Sequence, residues 1–208
     1  MSRRRTTSSL VLVLALVLVL LPSARVSAAG KTDTLRDSMH RLWDDHVVWT
    51  RLFIISTLGD LQDSAATTDR LLKNQTDIGN AIKPFYGEAA GTKLTALLRD
   101  HILIAADIVK SAKAGDTAKV DAAKARWSAN ADEIAAFLSG ANPKNWPAAD
   151  MKSMMHDHLS LTAAELEARL KKDWSADVVA YDRIDEQIHK MADMLTDGIA
   201  RQFPDKVS

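Results

Sequence analysis

The sequence predicts an all-α protein, an up-and-down bundle of about six helices. Three observations carry this. Only 8 Gly and 5 Pro occur in 208 residues, and they fall in clusters that read as loops. Between the clusters, apolar residues recur three and four positions apart, the helical period. No stretch alternates with period two for long enough to make a strand. The connecting loops are short, so successive helices run antiparallel.

The first thirty residues follow different rules. Arg3, Arg4 and Arg5 precede an unbroken apolar run, Leu10 to Leu21, which Pro22 ends. Val26-Ser27-Ala28 then places small residues at the −3 and −1 positions before Ala29. This is the three-part layout of a cleavable secretory signal over residues 1–28. The run is too short to span a bilayer as a retained helix, which takes about 20 apolar residues. The expected product is an exported, periplasmic or secreted chain, residues 29–208, forming a single helical-bundle domain with no integral membrane span. Removal of 1–28 takes four Arg and no acidic residue, leaving 23 basic against 27 acidic side chains. A mildly acidic surface without a basic block argues against nucleic acid and anionic membranes as partners. The sequence holds no Cys, which excludes thiol catalysis, zinc–thiolate centres and iron–sulfur clusters.

The expected helices follow in order. The first covers about 33–61 and ends near Gly59-Asp60. The second starts after Ser64 and stops before Pro84. The third runs from about Thr92 to Ala114, closed by Gly115, and Asp116 caps a fourth that ends at Gly140. Pro147 opens the fifth at a first-turn position where its missing N–H is harmless. Ser175 caps the sixth, which reaches Gln202 and stops at Pro204. A weak internal repeat runs through them. Asn74-Gln75-Thr76-Asp77-Ile78 resembles Asn130-Ala131-Asp132-Glu133-Ile134. Asp45-His46, Asp100-His101 and Asp157-His158 are each followed by an aliphatic residue. The chain can thus be read as three repeated hairpins, helices 2–3, 4–5 and 6–1.

The repeated histidines interrupt apolar stripes. His46 stands between Leu42 and Trp49, His101 between Leu97 and Ile104, and His158 between Met154 and Leu161, so all three are expected inside. Two residues of an antiparallel hairpin lie side by side when their midpoint falls in the connecting loop, because both helices rise equally per residue. By that rule His46, Asp77, His101, Glu133, His158 and Asp193 share one level, with Asn74, Asn130 and His189 a turn away. Neutral imidazoles and carboxylates are suitable ligands for a divalent transition metal such as zinc, iron or manganese, and bundle cores hold such sites. Buried His–carboxylate pairs that only fix the register of a Leu/Ala core are the alternative. Of the ferritin-like Glu-x-x-His pair, only Glu186-x-x-His189 is present. Met151, Met154, Met155, His156 and His158 form a cluster of the kind that suits Cu(I), although Met is also ordinary core filler. Trp43, Trp127, Trp146 and Trp174 are expected at helix or loop edges, and Asp45, Asp100 and Asp157 in solvent.

Leu42-Trp43-Asp44-Asp45-His46-Val47-Val48-Trp49-Thr50-Arg51 resembles the Leu-Trp-x-x-His-Val-x-Trp-Thr-Arg pattern of a family of bacterial, often exported, helical proteins. Similarity continues through Asn130-Ala131-Asp132-Glu133, the His158 segment, Met191-Ala192-Asp193 and Gln202-Phe203-Pro204. That family has no established activity, so the resemblance implies a helical bundle and transfers no catalytic residue. The expected function is a binding module that holds a metal ion or small polar ligand in the His/carboxylate layer. A structural or interaction protein of the cell envelope is the second expectation, and a metal-dependent enzyme using the same layer is the third.

Overall fold

The computed structural model describes residues 28–207, and the side chains of 30–207; the expected signal segment lies outside the described residues. Seven helices and no strand occur among the described residues: α1 (Ala28–Leu58), α2 (Ser64–Tyr86), α3 (Glu88–Lys113), α4 (Thr117–Ala141), α5 (Ala148–Leu170), α6 (Trp174–Gln202) and the short α7 (Pro204–Val207). The first six run up and down. Each packs on its chain neighbours and α6 returns to α1, so they close a ring, with α1 also touching α3. The odd helices, which carry the repeated histidines, all run one way. No described helix is long and apolar enough to cross a membrane.

Local chemistry sets the helix ends. Asp116 caps α4 by accepting from the Lys119 N–H at 3.1 Å. At α6 the cap is Asp173, accepting from the Ala176 N–H at 3.0 Å, two residues earlier than the expected Ser175. Helix α2 runs through Pro84, because the break comes only at Gly87, whose φ of +87° an L side chain rarely adopts. α3 therefore starts at Glu88, earlier than expected. α2 and α3 approach at Gly79 and Gly91, where a Cβ on either would lie 2.6 Å from the other's carbonyl oxygen.

One apolar core fills the ring. Its two halves are lined by Phe53, Ile102 and Leu166 on one side and by Met39, Leu98 and Ile199 on the other. The polar layer lies between them. Trp146 closes one end by packing on Gly198 and donating from Nε1 to the Met194 carbonyl at 3.1 Å.

Candidate metal centre

His46, His101 and His158 meet at the centre of the ring, as their stripes predict. Their ring centroids are 5.5 Å (His46–His158), 6.3 Å (His101–His158) and 6.5 Å (His46–His101) apart, and all three are buried. Trp43 meets His46 edge-on at 5.6 Å and Trp127 lies over His101 at 5.1 Å. Those two tryptophans belong to the core rather than its edges, whereas Trp146, in the loop before α5, closes one end as expected; Trp174 alone of the four is exposed.

The carboxylates expected beside the histidines are elsewhere. Asp77 turns outward to Lys73, one turn back on its own helix, at 2.8 Å. Glu133 is exposed on a groove between α3 and α4. Asp193 faces Arg36 (3.0 Å) and His40 (2.9 Å) across α1. All three sit near the level that the midpoint rule assigns, but rotated off the inner face. An ionised carboxylate in a dry core costs far more than an amide, so the residues that turn inward are amides.

Those amides repeat. His101 Nδ1 lies 2.9 Å from Asn130 Oδ1, while Asn130 Nδ2 donates to the Leu97 carbonyl at 3.1 Å. His158 Nδ1 lies 3.2 Å from Gln187 Oε1, while Gln187 Nε2 donates to the Met154 carbonyl at 3.1 Å. In both, the amide follows its histidine by 29 residues and clips the carbonyl four residues before it. The amide N–H fixes which end faces the ring. Oxygen therefore faces Nδ1, Nδ1 carries the hydrogen, and Nε2 is left with the lone pair. In the first copy two residues divide the task. Asn74 Nδ2 donates to the Leu42 carbonyl at 2.9 Å, and Gln75 faces His46, with His46 Nδ1 and Gln75 Oε1 both buried and outside hydrogen-bonding geometry. The hydrogen bonds thus group the helices as α1–α2, α3–α4 and α5–α6, one helix out of phase with the repeat expected from the sequence.

Burial holds all three imidazoles neutral. His101 is lowered to about 3 by burial and then by the nearby His158, and His158 to about 4 by burial. His46 is held well below the ordinary imidazole value by burial, then by His158 and His101. Among the described residues, no Nε2 of the three has a hydrogen-bond partner. Apolar voids of about 30 and 20 Å³ flank the layer, with almost no polar wall to hold a water. Met151, Met154 and Met155 are buried in the same core, but His156 turns out to Asp132 at 2.7 Å, which breaks up the expected Met/His cluster.

A second polar assembly has no counterpart in the sequence reading. Arg51 of α1 donates to Glu165 of α5 and, with both terminal nitrogens, to Asp177 of α6 at 2.9 and 3.0 Å. Arg169 adds a bond to Asp177 at 2.6 Å. Burial pushes the Glu165 carboxyl up to about 7, with Arg51 opposing. Burial also works to raise Asp177, but the bonds from Arg51 and Arg169 hold it below the usual carboxylate range. The available signal was Glu165 itself, two turns past His158 on the same inner face.

Comparison with protein-family models, with curated proteins and with solved structures finds no match. Among the described residues, one group of three metal-ligating side chains brings its ligand atoms within 4.8 Å of one another, and it is Asp44, Asp185 and His189 on the surface, not the central histidines.

Proposed function

We propose that this is an exported metal-binding protein whose resident ion sits between His46, His101 and His158. The observation that carries it is the meeting of three buried imidazoles that burial keeps neutral, none with a hydrogen bond at Nε2 among the described residues, of which His101 and His158 are held at Nδ1 by an amide. An Nδ1–H fixed to a carbonyl-type oxygen is how proteins aim Nε2 at a metal. The donor set is neutral and contains no carboxylate. It suits a soft or borderline ion, Cu(I) or Zn(II), and not a hard one. No choice of one ring nitrogen from each histidine brings the three within 4.8 Å of one another, so binding draws them inward by rotation of the rings. With dry apolar voids on both sides, the ion enters as the bundle closes, so loading accompanies folding.

Export, the resemblance to exported helical proteins and a periplasmic or secreted location rest on the N-terminal pattern and the Leu42–Arg51 motif. N-terminal sequencing of the secreted or periplasmic form is expected to start at Ala29; the intact run from Arg3 to Leu21 in a membrane fraction overturns export. For the metal, elemental analysis of untagged protein refolded with Cu(I) or Zn(II) is expected to give one more ion per chain than His101→Ala gives, with helical content retained in both. A protein that takes up no more of either ion than His101→Ala does ends this reading.

The amide clips favour a second reading, a structural or interaction protein of the envelope in which the layer only sets register. Each clip ties one helix pair at a defined height, which an otherwise uniform Leu/Ala core does not. The double substitution His101→Leu with Asn130→Leu separates the two. It should be tolerated or stabilising if the layer is purely structural, and should abolish uptake of the central ion if the layer is a site.

A further inference from the structure

The seam between α1 and α6 is a ladder of facing pairs. Arg36 meets Asp197 at 2.6 Å, His40 meets Asp193 at 2.9 Å, and Asp44 meets His189 at 2.6 Å. Further along, the Arg51 guanidinium lies 4.7 Å over the Tyr181 ring. The rung between these two is different. On α6 it carries Asp185, one turn from both Tyr181 and His189, while the same height on α1 carries the exposed Val48. Asp185 therefore lacks the cation that the other acidic rungs have, and it makes no hydrogen bond or ion pair among the described residues. It leans on the next rung instead, where a ligand atom of Asp185, one of Asp44 and a nitrogen of His189 lie within 4.8 Å of one another. Two carboxylates against one imidazole is an unbalanced local charge, and like charges this close repel.

We propose that Asp44, Asp185 and His189 bind a divalent first-row cation of the Zn(II), Co(II) or Mn(II) class at this surface seam, separate from the central layer. The ion takes the place of the hydrogen now shared between His189 Nε2 and Asp44 Oδ1 and supplies the positive charge that Val48 does not. Asp185 and His189, four residues apart on α6, present their side chains on one face one turn apart, and α1 brings the third ligand. All three are partly exposed, so water completes the shell and the ion exchanges without opening the bundle. The His40 ring stacks on His189 at 4.9 Å and 22°, and Asp193 holds His40 in turn, which restrains the His189 ring in the plane that binding requires. The oxygen-rich donor set differs from the all-imidazole centre and selects a harder, divalent ion.

The test is titration of the full chain with Co(II), followed by calorimetry and by the visible spectrum of the ion, in the parent, Asp185→Asn, His189→Gln and His101→Ala. Asp185→Asn keeps the shape and removes only the charge. Thermal unfolding of each variant confirms the fold. The expected result is one Co(II) bound by the parent and by His101→Ala alike, at least about tenfold weaker in Asp185→Asn and lost in His189→Gln. Equal affinity in the parent and Asp185→Asn overturns the proposal, and so does no uptake by the parent at millimolar Co(II). Uptake that disappears with His101→Ala and survives His189→Gln belongs to the central layer and overturns it as well. Failure at the centre leaves this result untouched, because the two sites share no residue.

Discussion

The six histidines divide evenly between two environments. His46, His101 and His158 lie inside, and two of them bond to an amide while the third faces one. His40, His156 and His189 lie on the outside, and each bonds to an aspartate on a neighbouring helix. The cost of desolvation explains the division. In water a carboxylate and an imidazole can share a proton cheaply, whereas in the dry centre an ionised partner would bring a buried charge that the neutral ring does not balance. The buried charges that this chain does tolerate, Glu165 and Asp177, are bound by two arginines. The seam is thus built to hold charged side chains and the central layer to exclude them.

The largest expected effect comes from leaving buried charge without its partner. Arg51→Met removes the guanidinium that holds Glu165 and Asp177 together and should cost about 3–5 kcal/mol in urea unfolding. A cost below about 1 kcal/mol would mean that water already solvates the two carboxylates, and the contrast between the regions would weaken.

The pH dependence sharpens the same comparison. The three central imidazoles have folded pKa values below the ordinary 6.5, about 3 for His101 and about 4 for His158, so the unfolded chain takes up protons that the folded chain refuses. Their contribution to stability is complete above pH 6.5 and is lost as pH falls toward those folded values. Glu165 has the opposite sign. Its folded value of about 7 lies above the ordinary 4.5, so it stabilises the folded chain at low pH and loses that contribution as pH rises through this window. Near pH 5.5 unfolding therefore takes up about two protons net, a slope of about 3 kcal/mol per pH unit. Glu165→Gln should steepen the slope by about one proton and His101→Leu should flatten it by about one. Chemical denaturation of metal-free protein at several pH values measures both, and a flat profile would mean that the imidazoles are reached by water.

Truncating the clip separately from the ring gives an intermediate effect. Asn130→Ala leaves His101 Nδ1 and the Leu97 carbonyl without their partner and should cost about 1–3 kcal/mol. It should also weaken a centrally bound ion, because the ring is no longer aimed, while leaving Co(II) at the seam unchanged. The smallest effects belong to the carboxylates that face outward. Asp77→Ala and Glu133→Ala should each change stability by no more than about 0.5 kcal/mol and leave metal content unaltered. A larger loss, or a loss of metal, would return them to the central layer.

Much was legible in the residues alone. The six long helices, the closure of the bundle and the inward direction of His46, His101 and His158 follow from the period of the apolar residues, whereas the short α7 that begins at Pro204 does not. Their common height follows from antiparallel connections, because height is linear in residue number at 1.5 Å per residue. The Asn74 and Asn130 repeat was visible too, and both clip the carbonyl that precedes their histidine by four residues. Rotation about the helix axis was not legible. Each residue turns the side chain by about 100°, so Asp77 and Glu133, three residues past Asn74 and Asn130, stand about 60° away around the axis and about 4.5 Å along it. That angle separates a partner in the core from a side chain in water, and the packing of six helices around one ring decides it. The packing also decided that Gln75 and Gln187 face the histidines, that Arg51 gathers Glu165 and Asp177, and that Val48 stands opposite Asp185. Each of these depends on which faces of non-adjacent chain segments meet, and desolvation then selects amides for the inside and carboxylates for the seam.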